Sequence, residues 1–173
     1  MEGNNTITYG NISLVCPYEI QSMIELKIIK EVNNHSKLYF TGIIPEEKKD
    51  EYISIATSKD KIEVNLLSNG SVVRALFKGL VSNIKVKAVN NIYYLEVEGV
   101  SCTYDLDVKL KCRSFQNKNM SYTELIEKVL SSYAGADYMN LAAEGKNLGR
   151  FVLQYNETDW QFLKRIASYN GYV

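Results

Sequence analysis

The sequence predicts a mainly β protein with helices: an antiparallel β domain of small-barrel type, followed by a shorter segment in which two helices dominate. Three observations carry that reading. Short runs of alternating apolar and polar residues recur through residues 1–110. Asn-Asn and Asn-Gly pairs fall between those runs, where two-residue hairpin turns belong. Two later stretches, "SYTELIEKVLSSY" and "ETDWQFLKRIASY", show the helical period instead.

The best-specified element is the hairpin "LVSNIKVKAVNNIYYLEVEGV". With Asn90-Asn91 as its turn, Ile84 falls opposite Val97, Val86 opposite Leu95 and Ala88 opposite Tyr93, while Lys85 meets Glu96 on the other face. A one-residue slip would bury the charges, so the register is strongly determined. A second hairpin is expected to join "SMIELKIIKEV" to "KLYFTGII" through Asn33-Asn34-His35, with Glu31 opposite Lys37 and Ile28 opposite Phe40. Further strands are expected at Thr6 to Val15, Lys61 to Leu67 and Val72 to Gly79, the last two joined by Asn69-Gly70. Pro45 and the acidic residues after it suit a helix start. "YDLDVKLKC" reads as a short helical or irregular connection and "RSFQNKN" as a bridge.

In the later segment Ser121 is placed to cap a helix, Glu124 to complete a capping box, and Met120 and Leu125 to staple the entry. Leu125, Ile126, Val129, Leu130 and Tyr133 then share a face. After a loop, "AAEGKNLGR", comes a short strand "FVLQY" and a last helix. Asn156 is expected to cap it, Glu157 and Asp159 to occupy its first turn, Lys164 and Arg165 to follow, and Gly171 to lie beyond its end. Trp160, Leu163, Ile166 and Ala167 form the predicted apolar stripe, which Phe162 and Tyr169 widen. "GYV" reads as the start of another strand.

Composition narrows the function classes. The 173 residues carry a formal net charge of zero with 46% hydrophobic and 23% charged residues, as in folded globular proteins. No basic surplus supports a nucleic-acid groove, so the thirteen tyrosines do not make this an oligonucleotide-binding barrel. No apolar run approaches the roughly 20 residues of a transmembrane helix, and the N-terminus lacks the pattern of a secretory signal, so synthesis in the cytoplasm is expected. Cys16, Cys102 and Cys112 form no C-x-x-C pair and read as free thiols. His35 is the single histidine, which leaves no Ser-His-Asp, Cys-His or multi-histidine constellation within the chain. The carboxylate pairs Glu46-Glu47 and Glu157/Asp159 have glycosidase chemistry in principle, yet both stand where helix starts attract acidic residues. No catalytic, cofactor or metal site is therefore expected. A structural or assembly module ranks first, a non-catalytic carbohydrate-binding or adhesive β module second.

Four stretches, "HSKLYFTGIIPEE", "ALFKGLVSNIK", "SFQNKNMSYTELIEKVL" and "LQYNETDWQFLKRIASYNG", resemble the VgrG and phage late control gene D family. That family comprises the central hub or spike-base proteins of contractile tails and related injection machines. The fourth stretch is the most specific, and its matching positions are Gln154, Glu157, Thr158, Asp159, Trp160, Phe162, Leu163 and Arg165. The resemblance runs from Met23 to Val173 and implies a homotrimeric baseplate hub joining a hexameric tail tube to a trimeric spike, assembled into a virion tail or injection particle. It implies two related β-barrel domains, the first over residues 1–110. Residues 111–173 would be the connecting segment and opening part of the second, with the chain stopping before that barrel closes. The implied partners are further copies of the chain, a tail tube protein and a spike protein. The eight matching residues are expected to serve structure and assembly.

Overall fold

Positive backbone φ at the predicted turns sets the frame of the sheet. Asn90 and Asn91 stand at φ 49° and 61°, and Asn69 and Gly70 at 51° and 76°. These values suit the tight turns whose twist matches paired strands. The computed structural model describes residues 5–55, 60–141 and 143–170, and the chain divides into two units, Met1–Cys102 and Thr103–Val173.

The first unit contains β1 (Asn5–Tyr9), β2 (Ile12–Cys16), β3 (Ser22–Ile29), β4 (Lys37–Ile44), α1 (Lys49–Ile55), β5 (Lys61–Ser68), β6 (Ser71–Val89) and β7 (Ile92–Ser101). The seven strands form one antiparallel sheet in the order β1-β2-β5-β6-β7-β4-β3, curled as a half-barrel. Register shifts in the β5–β6 and β6–β7 pairs supply bulges, which bend and twist a strand locally. Leu14, Leu38, Ile62, Val64, Leu95 and Val97 make the fully buried centre of the core. Tyr52 on α1 packs edge-on against Tyr18 at 5.4 Å between ring centroids, and its hydroxyl accepts from the Glu19 N–H at 2.8 Å. Cys16 is buried and its thiol is pushed up to about 11 by that burial, whereas Cys102 and Cys112 are exposed; all three are free.

The long hairpin has the expected register: Ile84 pairs with Val97, Lys85 with Glu96, Val86 with Leu95 and Ala88 with Tyr93. The ion pair across it, however, joins Glu96 to Lys87 rather than to Lys85, because a lysine stem reaches diagonally as easily as directly across. Three other expectations change. Thr6 to Val15 is two strands turned about Gly10, at φ 58°. Val72 to Gly79 and the first arm of the long hairpin are one continuous strand, β6. The β3–β4 pair is shifted by two residues, with Ile28 opposite Leu38 and Leu26 opposite Phe40, since the connection is wider than Asn33-Asn34-His35 and begins after Ile29. A two-residue shift keeps every side chain on its face, so patterning alone does not resist it.

Gly79 marks the tightest approach in this sheet. A Cβ there would lie 2.2 Å from the Val100 carbonyl oxygen and 2.6 Å from the Phe77 ring. Backbone cannot yield as a side-chain tip can, so Gly79→Ala is expected to destabilise the first unit by about 1–3 kcal/mol, as overpacking does. Urea unfolding followed by far-UV circular dichroism would show the lowered midpoint; an unchanged midpoint would refute the close packing.

The second unit contains β8 (Leu110–Phe115), α2 (Tyr122–Leu130), β9 (Val152–Thr158) and α3 (Asp159–Ser168), with β8 and β9 antiparallel. The connection expected at 104–119 thus holds a strand, which the sequence reading missed. The capping box of α2 is present: the Ser121 Oγ accepts from the Glu124 N–H at 3.1 Å, and the Glu124 carboxylate accepts from the Ser121 N–H at 2.7 Å. Tyr122, Leu125 and Val129 are buried from this helix, with Ile126 packed partly against the same core. Phe115 and Phe162 stack at its centre, 5.7 Å apart and 10° from parallel.

Candidate functional site

The eight matching residues converge where β9 passes into α3. Lys111 and Arg113 are two apart on β8 and so project from one face, and Arg113 pairs with Gln154 on β9. Asn156 adopts φ 50° near the end of β9, a left-handed conformation that asparagine tolerates well. The helix cap falls two residues later than expected. Thr158 is the N-cap, its Oγ1 accepting from the Gln161 N–H at 3.1 Å while Gln161 Oε1 accepts from the Thr158 N–H at 3.1 Å. Glu157 therefore belongs to the strand, and only Asp159 enters the first helical turn.

Packing within the second unit decides which face of α3 is buried. Asp159, Phe162 and Ile166 point inward, Trp160 and Leu163 are half-buried, and Ala167 is exposed. Of the predicted stripe Ile166 is buried and Leu163 packs partly against the same core, while Phe162 rather than Trp160 stands at its centre, stacked on Phe115. Gly171 and "GYV" lie outside the described residues.

Asp159 is fully buried and accepts four side-chain hydrogen bonds. Lys111 Nζ donates at 2.6 Å, the Tyr133 hydroxyl at 2.7 Å and Gln154 Nε2 at 2.9 Å, and the Arg113 guanidinium completes the set. Gln154, also fully buried, holds its orientation by donating to the Glu157 carbonyl at 3.1 Å. Burial pushes the Asp159 carboxyl up, but the bonds from Lys111, Tyr133 and Gln154 and the charge of Arg113 outweigh it and hold the group below its usual value. Burial draws the Lys111 ammonium down, and its bonds to Asp159 and Tyr133 more than restore it. Beside this cluster Arg165 forks onto Glu157, with Nε 3.1 Å from Oε2, and donates to the Leu153 carbonyl at 2.7 Å, tying α3 back to β9. The Glu157 hydrogen bond raises the Arg165 guanidinium further above its already high value. The Thr158 hydroxyl also donates to the Asp107 carboxylate.

This chemistry is that of a fixed corner. A glycosidase pair needs one carboxyl held protonated by its surroundings, whereas Asp159 is stabilised as the anion and Glu157 is bound to Arg165. Glu46 lies beside Lys49 and the Tyr93 hydroxyl at a helix start. Among the described residues no cluster of histidine, cysteine and carboxylate ligands could hold a metal ion, and no helix is long and apolar enough to cross a membrane.

The sign of the pH dependence follows from Asp159. A depressed carboxyl contributes stability that is present above its unfolded value, near 3.9, and lost as the pH falls through its folded value. The second unit is therefore expected to lose urea resistance progressively below about pH 4, and Asp159→Asn to remove part of that slope. Fluorescence of Trp160, the single tryptophan and a residue of α3, reports on this unit. An identical slope in the variant would show that Asp159 does not carry the effect.

Lys111 and Arg113 carried no expectation from the sequence, and Tyr133 was expected only on an apolar helix face, whereas its hydroxyl donates to Asp159. A signal existed in "LKCRSF", where two cations alternate with other residues as on a strand face, but nothing local names the carboxylate they meet.

Comparison with known proteins decides the family. Residues 56–173 match the sequence profile described as phage tail baseplate hub (GPD). The chain belongs to that family. The match spans β5 to α3 and includes the whole corner about Asp159. In structure the hub chain is similar to the 43 kDa tail protein of prophage MuSo2 from Shewanella oneidensis, with TM-score 0.67 and 15% identity over 98% of this chain and 52% of that one. It is also similar to a tail protein from Neisseria meningitidis MC58, with TM-score 0.60 and 15% identity over 92% and 45% of the two chains. A third similar structure is an E. coli component of the type VI secretion system, itself structurally similar to the T4 bacteriophage tail proteins gp27 and gp5. There the TM-score is 0.52 and the identity 15%, over 84% of this chain and 43% of that one. The hub chain thus spans about half the length of these solved proteins. No curated protein matches it in sequence.

Proposed function

We propose that the hub chain works as a non-catalytic, homotrimeric connector that joins a hexameric tail tube to a trimeric spike in a contractile tail or related injection particle. The profile match running through both units carries this reading. The curled seven-stranded sheet suits a segment of a ring wall, since heterologous contacts between copies can close into a ring. Residues 1–110 form the proposed tube-type domain, and residues 111–173 the connecting and opening part of a second, related one. In that scheme Gln154, Glu157, Thr158, Asp159, Trp160, Phe162, Leu163 and Arg165 maintain the turn from β9 into α3 and perform no chemistry, because the two carboxylates among them are taken up by Lys111, Arg113, Tyr133 and Gln154 at Asp159 and by Arg165 at Glu157.

Cryo-electron microscopy of tail particles from the producing bacterium, with the hub chain epitope-tagged, tests the assignment. Threefold density carrying the tag at the end of the tube is expected. Particles without the tag, or a purified chain that stays monomeric and captures oligosaccharide, would instead support a carbohydrate-binding module.

A further inference from the structure

Two hairpin tips of the first unit share a geometry and differ in one residue type. Asn69-Gly70 turns β5 into β6, and Asn90-Asn91 turns β6 into β7. All four residues are exposed and stand at φ between 49° and 76°. The flanking residues pair directly, Ser68 with Ser71 and Val89 with Ile92, so each connection holds two residues and no slack. The residue after the first asparagine is glycine in one turn and asparagine in the other.

An asparagine side chain is open to attack by the backbone nitrogen of the next residue, because that attack closes a succinimide ring. A side chain on the next residue crowds the approach, and glycine has none. A Cβ built on Gly70 would meet no atom within 4 Å, so the space about this peptide is open to water. Among the described residues no hydrogen bond restrains the Asn69 side-chain amide, whereas Asn34 and Asn140 donate from theirs to Glu31 and Thr123. Asn170 also precedes a glycine, but its Nδ2 donates to the Ile166 carbonyl at 3.5 Å at the end of α3.

We propose that Asn69-Gly70 is a site of spontaneous deamidation, and that the tip of the β5–β6 hairpin opens when it reacts. The Gly70 nitrogen loses its proton to hydroxide and bonds to Asn69 Cγ; the Cγ–Nδ2 bond breaks, and the amide nitrogen takes a proton from water and leaves as ammonia. Water then opens the ring at either carbonyl. One opening gives aspartate. The other gives isoaspartate, in which the main chain runs through the side-chain carbon and is longer by a methylene. A two-residue turn has no room for that added atom, so the Ser68–Ser71 and Leu67–Val72 pairs are lost in the isoaspartate product.

The test incubates the intact chain at neutral and mildly alkaline pH and follows its tryptic peptides by mass spectrometry. Peptide 62–74 contains Asn69, and peptide 88–109 contains Asn90 and Asn91 as the control in the same turn geometry. Asn69 is expected to convert to the acid, with isoaspartate among the products, at a rate rising in proportion to hydroxide, while Asn90 and Asn91 stay intact. Hydrogen exchange at the Ser71 amide should be faster in the converted protein. Asn69→Gly accepts the positive φ of the turn and should keep the circular dichroism spectrum while abolishing the change. Reaction at Asn90 or Asn91 as fast as at Asn69, conversion confined to Asn170, or unchanged exchange at Ser71 would each overturn the proposal. So would a mass change that persists in peptide 62–74 of Asn69→Gly, since it would then belong to Asn65, or an intact Asn69 under conditions that convert it in the urea-unfolded chain, since the turn would then protect it.

Discussion

Asp159→Ala is expected to destabilise the second unit by about 3 kcal/mol, the lower end of the cost of breaking a buried ion pair, because the two cations left without their counter-charge are half-buried. The substitution removes the acceptor shared by Lys111, Arg113, Tyr133 and Gln154, of which Gln154 is fully buried and has no water to turn to. At roughly 0.05–0.15 kcal/mol per residue, a unit of this size holds on the order of 4–10 kcal/mol in all. The loss is therefore a large share of the total, and Trp160 fluorescence in urea should show a midpoint lowered well beyond that of any single donor variant. Lys111→Met makes the sharper comparison. Arg113 remains to neutralise the carboxylate, so its cost is expected to be clearly smaller. Equal losses from Asp159→Ala and Lys111→Met would mean that the carboxylate is not the node of the cluster.

Leu95→Asp is expected to unfold the first unit. Leu95 is fully exposed to the core and not at all to solvent, on β7 between β6 and β4 and opposite Val86 and Gly42. Losing the leucine forfeits about 1.5–3 kcal/mol of burial, and the carboxylate must then either ionise unpaired in the core or take up a proton at further cost. Lys85→Ala on the opposite face, where the ion pair belongs to Lys87 and Glu96, should change stability by less than about 1 kcal/mol. Hydrogen exchange at β4 and β7 amides separates the two outcomes. Comparable loss of protection in both variants would show that the faces of the hairpin are reversed.

These expectations rest on parts of the molecule that differ in how far the sequence reveals them. The register of the long hairpin was legible because two turn asparagines and a period of two act over a few residues and agree with each other. The β3–β4 register was not, because a two-residue shift leaves the same faces buried and nothing within the connection selects its length. The cap of α3 was misplaced for a related reason: both Asn156 and Thr158 are good capping residues. What selects Thr158 is the continuation of β9 pairing as far as Leu110↔Thr158, together with the bond from its hydroxyl to Asp107.

The sequence by itself determined the local devices of this hub chain: its Asn-Asn and Asn-Gly turns, the Ser121–Glu124 capping box, and the motif that marks its family. Each depends on residues a few positions apart, whose conformational preferences act without knowledge of the rest of the chain. Only the tertiary structure decided what the motif is built around. Asp159 meets Tyr133 from 26 positions away and Lys111 from 48, and that meeting exists only once β8 lies beside β9. An acidic residue at a helix start has an ordinary local explanation in the helix dipole. Its burial beneath two cations follows from strand pairing, which no short stretch of the sequence contains.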